Sequence, residues 1–425
     1  LELTENLLDR GIAVTVVEAE NQLMPGVLDS EMSAFVKRKL QERGVRVLTG
    51  TKAEAVLGEG SVSGLRTTAG QISCGAVVFS VGIRPNTGFL QDTGLEMVKG
   101  TLVVDEKLHT NLPHIYAAGD CALVKNRLTG KPQWSPMGSS ANLEGRTLAQ
   151  AVTGKEVNYP GVLGTGVVKL PGLNCGRTGL TEAAAREAGY QVITALSVCD
   201  DKAHYYPGAD SFVTKLIADQ ETHRLLGIQV LGAGAVDKMV DLAVLGISMG
   251  AKVEDYDNLD LAYAPPFSTA IHPFVQAVCV LENKLCGDLV SMTPAEYAAG
   301  AAEGYTVLDV NPQPTIRGAL FVDLAKVNGP LEGVAKDEKL LLVCAKGKRA
   351  YFLQNRLRYY GYTNTKVLEG STYFNEVRVK AAGATVSPEE VTRVKGLGFL
   401  WDKNTPDCFN GRVITRNGKI TAEEM

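Results

Sequence analysis

The sequence predicts a multidomain chain of mixed α/β and α+β type, with partial doubly wound domains first, an α+β domain next and a small α/β domain after it. Three observations lead there. Helical and β-branched segments alternate over residues 1–50, as when helices wind a parallel sheet. From about residue 161 the pattern changes to antiparallel strands with two helices. Near residue 290 capped helices and short apolar strands resume. The 425 residues also ask for several domains, which usually run about 100–200 residues each.

Each element has a local reason. Residues 1–11 read as an amphipathic helix stopped by Gly11, and 12–20 (IAVTVVEAE) as a buried strand ending in acid. Residues 29–44 form a second helix between N-cap Asp29 and Gly44, and 45–50 the next strand. Residues 51–80 alternate like a meander that closes on a buried strand at 76–82 (AVVFSVG). HIYAAGDCAL (114–123) reads as a strand entering a Gly-Asp turn, with a helix from about Ser139 to Val152. Residues 236–250 are the clearer helix of the antiparallel region. Further on, MTPAEYAAGAAEG is a capped helix, YTVLDV, KLLLVCA and KVLEG are short strands, and RAYFLQNRLRYYGY is a helix. The final KITAEEM suggests a helix beginning after N-cap Thr421. The chain opens on Leu1 within a helix, so both ends are read as cut from a longer protein.

Composition narrows the class. Charged residues make up 21% and the net charge is −4, so no basic field draws nucleic acid. No apolar run is long enough to span a bilayer. The eight Cys lack metal-ligand or disulfide-framework spacing, which predicts no metal site and favours the cytoplasm.

A strand ending in acid just after a helix is the second half of a dinucleotide-binding βαβ unit. Glu18 stands where a ribose-binding carboxylate belongs, which favours NADH over NADPH because a carboxylate repels a 2′-phosphate. A plain strand-end acid is the alternative. Further on, SVGIRPNT (80–87) and HTNLPHIYAAGDCA (109–122) resemble the two linked signatures of the pyridine nucleotide–disulfide oxidoreductase family. The resemblance implies FAD, with Asp120 on the ribityl chain beside Gly119, and Gly82 at the exit from the NAD domain. SPMGSSANLEGRTLAQ (135–150) resembles the helix under the flavin ring, with contacts expected at Gly138, Ala141 and Asn142. Glu2 matches a family Glu near the nicotinamide and flavin, or is an exposed helix acid.

HYYPGA (204–209), residues 225–247 and LDLAYAPPFSTAIHPF (259–274) resemble the dimerisation domain of the branch holding CoA-disulfide reductases, NADH oxidases and persulfide reductases. The resemblance implies a homodimer in which Tyr263 reaches the partner's active site, to donate a proton or steady a thiolate. Packing beside two prolines is the alternative. Ile271-His272-Pro273 replaces the family's Lys-Asp-Pro. KLLLVCAKGKRAYFLQNRL (339–357) resembles a rhodanese loop, with Cys344 as nucleophile and Lys346, Lys348 and Arg349 favouring its thiolate. Asn311 replaces the Arg that usually follows Asp-Val, and the Gly-His-Ile segment has shrunk to IRGALFV (316–322). A degenerate fold with an inert thiol is the alternative.

The expected domains are 1–84 (NAD, partial), 85–160 (FAD, C-terminal part), 161–288 (dimerisation), 289–378 (rhodanese-like) and a tail, 379–425, faintly resembling the start of a sulfite/nitrite reductase-like domain. The family mechanism implies hydride passing from NADH to FAD and on to a redox Cys that cleaves a small-molecule disulfide or sulfane sulfur, CoA-linked in some members. That Cys and both Gly-rich loops are expected upstream of Leu1, so the chain as it stands is expected not to turn over. NADH oxidase or peroxidase activity, and a non-redox sulfur carrier, are the competing readings.

Overall fold

In the computed structural model, which describes residues 1–379, 412–416 and 419–423, helix α1 (Glu2–Leu8) ends before a left-handed Gly11. Strand β1 (Thr15–Val17) then pairs in parallel with β2 (Arg46–Leu48) across helix α2 (Ser30–Glu42). Helix α2 forms because Met32, Phe35, Val36 and Leu40 fall on one stripe, and all four are buried. Strands β3 (Ala53–Leu57), β4 (Gly64–Thr67) and β5 (Gly70–Ser73) make the expected antiparallel meander.

The expected strand at 76–82 is absent. The segment lacks regular structure, and Val78, Phe79 and Val81 are exposed. A strand needs a ladder partner, and among the described residues β1 pairs only with β2, leaving 76–82 none. The expected strand at 114–118 is likewise only a single bridge between His109 and Tyr116. The true strand, β8 (Ala122–Lys125), begins after the Gly-Asp turn, in a sheet ordered β6 (Met97–Val98), β7 (Thr101–Val103), β8, β9 (Pro132–Trp134). Helix α3 (Gly138–Val152) follows.

Next comes a five-stranded antiparallel sheet. Its elements are β10 (Gly166–Leu170), β11 (Leu173–Gly179), β12 (Val192–Asp200), β13 (Ser211–Asp219) and β14 (Leu225–Gly232), in the order β10-β11-β14-β13-β12. Every residue of β13 and β14 is buried, so both faces of the sheet centre are covered. Three helices accompany it where two were expected: α4 (Glu182–Glu187), α5 (Val236–Met249) and α6 (Pro273–Leu285). The short α4 was hidden in an Ala-rich run, and Thr181 caps it through the Ala184 amide at 3.2 Å. A side chain at Gly246 of α5 would strike the Tyr256 hydroxyl, so α5 packs closely against Val253–Tyr256.

A buried charge cluster ties α2 to this sheet. The Lys215 ammonium on β13 meets Asp29 at 3.0 Å, Glu182 at 2.8 Å, and Glu31. Asp29 stands at the N-cap position of α2, yet its carboxylate leaves that helix uncapped. It takes hydrogen bonds from the Glu182 amide (3.1 Å) and the Gln229 side chain (2.8 Å) instead. Asp29, Glu31 and Glu182 converge closely enough to hold a cation, and Lys215 supplies the positive charge there.

The structure divides into two compact units, Leu1–Gly287 and Asp288–Met425. The second holds a parallel sheet of β15 (Ser291–Met292), β16 (Thr306–Asp309), β17 (Leu320–Phe321), β18 (Leu340–Val343) and β19 (Thr365–Leu368), ordered β15-β19-β18-β16-β17. Helices α7 (Pro294–Ala298), α8 (Lys348–Tyr359) and α9 (Ser371–Phe374) surround it, α7 starting on a Thr293/Glu296 capping box. Residues 412–416 and 419–423 form an antiparallel pair, β20 and β21, so Thr421 lies in a strand rather than at a helix start. The overlooked signal is a short run of β-branched residues on each side of Asn417-Gly418, Val413-Ile414-Thr415 and Ile420-Thr421. The rest of the tail expected to open a reductase-like domain lies outside the described residues. No helix among the described residues is long and apolar enough to cross a membrane.

Candidate functional site

The first unit builds an open turn. Gly119 adopts φ +78, a left-handed conformation that suits glycine. A Cβ there would lie 3.6 Å from Ala141 Cβ, so the turn packs against the first turn of α3. The Gly119 amide donates to Glu144 of α3 at 2.7 Å, and Trp134 Nε1 donates to the Asp120 carbonyl at 2.7 Å. Asp120 itself is exposed, as are Gly138 and Asn142, while Ala141 is half-buried. No side chain caps α3 and no acid stands in its first turn. An exposed carboxylate for hydroxyl donors beside uncapped helix amides for an oxyanion is the donor set a polyol phosphate such as FAD requires. Burial, and then the Asp120 charge, push the Glu144 pKa above the usual carboxylate range, against the lowering effect of the Gly119 amide.

The other predicted cofactor residues stand apart from this turn. Glu18 directly follows β1, half-buried, with Oε1 accepting from the Glu20 amide at 3.0 Å. Glu2 is exposed in the first turn of α1, and Gly82 is exposed with φ +98. Among the described residues no hydrogen bond joins Glu2, Glu18 or Gly82 to the Asp120 turn. Tyr263 is about half-exposed, and its pKa is raised, by desolvation and then by the neighbouring Tyr205. Phe267, Ile271, Leu245 and Met249 are also exposed in this region. A cleft of about 370 Å³ lies between α5 and the 261–272 segment, with Leu242, Leu245, Leu261 and His272 in its lining. His272 caps α6, its Nδ1 accepting from the Phe274 amide at 3.2 Å.

The second unit builds a closed nest. Cys344, buried directly after β18, is a free thiol whose Sγ receives the Gly347 amide at 3.1 Å. Gly347 holds φ +105 and opens α8, which turns the loop back over the sulfur. Helix α9 clasps the Cys344 backbone: its amide donates to Ser371 Oγ (3.2 Å), and its carbonyl accepts from the Thr372 amide and hydroxyl (both 3.1 Å). Arg349 Nε donates to the Val310 carbonyl at 2.7 Å, so this guanidinium anchors the strand-end loop. Lys346 lies 5.9 Å from the Tyr373 ring and Lys348 5.9 Å from the Phe352 ring. Buried Asp309 gathers the Asn311, Thr315 and Ile316 amides and the Asn311 and Thr315 side chains, and these bonds hold its pKa below the usual range despite burial. Sequence reading missed Ser371, Thr372, Asp309 and Glu144. Only Glu144 carried a signal, as an acid three residues from Ala141 on one helix face.

Known proteins match both units. "Pyridine nucleotide-disulphide oxidoreductase" matches residues 1–142, its dimerisation domain residues 167–274, and "Rhodanese-like domain" residues 293–373. The chain is 34% identical over 283 residues to an NAD(P)H sulfur oxidoreductase (CoA-dependent) of Pyrococcus furiosus, covering 66% of this chain and 64% of that protein. An NADH oxidase of Methanocaldococcus jannaschii is 30% identical over 273 residues, covering 64% of this chain and 61% of that protein. The chain thus spans less than two thirds of the length of these curated relatives. A solved NAD-dependent persulfide reductase from A. fulgidus superposes with a TM-score of 0.80 at 31% identity, covering 87% of this chain and 68% of that one. The oxidoreductase domain, its dimerisation domain and a rhodanese-like domain follow one another along this chain, which belongs to the pyridine nucleotide–disulphide oxidoreductase family, whose cofactors are FAD and NAD(P)H, with a rhodanese-like domain joined to it.

Proposed function

We propose that this chain serves the NADH-dependent reduction of persulfide, polysulfide or CoA-disulfide sulfur, with Cys344 handling sulfane sulfur in the same protein. The observation that carries the reading is the Cys344 nest, a buried sulfur receiving a backbone amide at the start of α8. In sulfur transfer the Cys344 thiolate attacks the outer sulfur of R–S–S⁻. A new S–S bond forms, the S–S bond of the donor breaks, and R–S⁻ leaves with its electron pair. The amides of the loop and the α8 dipole favour the negative sulfur before and after transfer. The net reduction is RSSH + NADH + H⁺ → RSH + H₂S + NAD⁺, and FAD, when bound, would relay its two electrons. Asp120 and the first turn of α3 would hold that cofactor, and Glu18 favours an unphosphorylated ribose.

The exposed face around Leu245, Met249, Tyr263 and Phe267 suits a second copy of the chain, with the Tyr263 phenol serving the partner's site as hydrogen-bond donor. A reducing cytosol would keep Cys344 ready for transfer. The test loads the protein with polysulfide and measures the sulfur added to Cys344 by mass spectrometry and its release by cyanide. One sulfur on the wild type and none on Cys344→Ser is expected; loading that survives the substitution overturns the sulfur-transfer part. Comparing polysulfide, CoA disulfide and oxygen as NADH-dependent acceptors of the full-length gene product tests the rest. Oxygen as the preferred acceptor would move the reading to an NADH oxidase.

A further inference from the structure

We propose that Glu144 and Tyr159 are positioning residues for the flavin: a buried pair that locks the Gly119–Asp120 turn onto the start of α3, so that the Asp120 carboxylate and the α3 amides face the cofactor as one surface. The inference rests on the flavin reading above and names residues that reading does not use. Glu144 is the one buried residue of α3, at 2% exposure. A carboxylate inside a protein costs free energy unless its oxygens are hydrogen-bonded. Here one oxygen accepts the Gly119 amide at 2.7 Å, and the Tyr159 phenol acts electrostatically on the same carboxyl group. Tyr159 is itself buried, and its phenol also feels Ser140, whose hydroxyl lies 2.9 Å from that of Ser135. The network therefore runs from the Gly119 turn to the residues that begin α3.

The Gly119 peptide is the hinge of the arrangement. Glycine at φ +78 has wide conformational freedom, and its amide bond to Glu144 restrains it. The carboxylate of Asp120, the next residue, accepts no hydrogen bond from the protein among the described residues, and Trp134 holds only the Asp120 carbonyl, so the carboxylate's direction follows from the turn. Burial and the neighbouring Asp120 both oppose a charge on Glu144. What the turn requires of it is an acceptor oxygen of the right reach, which glutamine also offers.

The test compares Glu144→Gln, Glu144→Met and Tyr159→Phe with wild type in the full-length gene product. FAD affinity is read by flavin fluorescence, the flavin environment by its visible absorption, and the Gly119 peptide by hydrogen exchange, with melting temperature recorded alongside. Glutamine should bind FAD as wild type does. Methionine fills the same volume without the acceptor. It should bind about tenfold or more weakly, shift the flavin spectrum and speed exchange at Gly119. Tyr159→Phe should fall between them. Methionine binding like wild type, or glutamine and methionine losing affinity alike in step with their melting temperatures, overturns the proposal while the flavin reading stands. A wild type that takes up no FAD overturns both. If Glu144→Met does not fold, unchanged affinity in Tyr159→Phe overturns the proposal and weakened affinity at unchanged melting temperature supports it.

Discussion

The two candidate sites are held in opposite ways. The Cys344 loop is closed and local. Its sulfur, amide and carbonyl are all bonded by residues 344–372 of one unit, and Arg349 adds a strut to Val310. The Gly119–Asp120 turn is open, with its carboxylate exposed. The unit around it is braced by contacts between residues far apart in sequence, Asp29 with Glu182 and Gln229, and Lys215 with Glu31. A nucleophile that must exclude water gains from a short, self-contained nest, whereas a large cofactor needs a surface assembled from several elements. The sulfur site should therefore survive damage that loosens the first unit, and the reverse should also hold.

The largest expected effect comes from Lys215. Lys215→Ala leaves three carboxylates facing one another in a buried place. Removing one partner of such a cluster destabilises by about 3–5 kcal/mol. Hydrogen exchange of peptides from β13 should accelerate strongly, while peptides from β18 stay protected. Equal loss in both would break the contrast between the units. Pairing Lys215→Met with Glu182→Gln should restore part of the loss, because fewer charges then lack a partner. Burial works to raise the Glu182 pKa, but Lys215 and Arg186 outweigh it and hold it below 4.5. A depressed carboxylate contributes its stability in full above the unfolded pKa and loses it as pH falls through the folded one. The cluster should accordingly weaken in acid below about pH 4.5, and Glu182→Gln should flatten that part of the curve.

Much of this was legible in the sequence, for reasons that differ by element. Helix α5 and strand β18 were clear because their apolar residues repeat with a fixed period or run unbroken. The nest around Cys344 was clear because its Cys, Gly and Arg lie within six residues, 344–349. The strand expected at 76–82 was misjudged because β-branched composition reports on burial, and burial depends on a ladder partner. Lys215 and Ser371 were invisible for one shared reason: each acts on a residue distant in sequence, Asp29 and Cys344 in turn. Asp29 shows the limit most plainly, since its position matched a cap while its carboxylate serves Gln229, 200 residues away.

A smaller effect is expected at Asp309, which shapes the loop facing the Cys344 side of the parallel sheet. Asp309→Ala removes an acceptor for the Asn311, Thr315 and Ile316 amides, leaving them to find water. A cost of about 2–3 kcal/mol follows for charged-acceptor bonds. Asp309→Asn should cost less, since one oxygen is retained. The depressed pKa gives the same sign as for Glu182: stability is complete above the ordinary 3.8 and lost below it. If sulfur loading of Cys344 falls in Asp309→Ala while its peptides from β18 remain protected, the nest depends on its neighbouring loop and is less self-contained than its hydrogen bonds suggest.

The smallest expected effect belongs to His272, and it separates a structural histidine from a catalytic one. Its Nδ1 accepts from the Phe274 amide, which assigns the ring proton to Nε2 and requires the neutral imidazole. Burial, and then Lys238, push its pKa down to about 4 from 6.5. Between those values the unfolded chain binds a proton that the folded chain refuses, so stability is complete above pH 6.5 and declines as pH falls toward 4. His272→Asn supplies another capping oxygen and should keep neutral-pH stability while removing that slope. His272→Ala should remove the slope and cost about 1 kcal/mol as well. A slope that persists in His272→Asn would place the titrating group elsewhere. A loss of acceptor reduction in His272→Asn at unchanged stability would give this residue a part in the chemistry, and would join the open half of the molecule to the 259–272 segment that carries Tyr263.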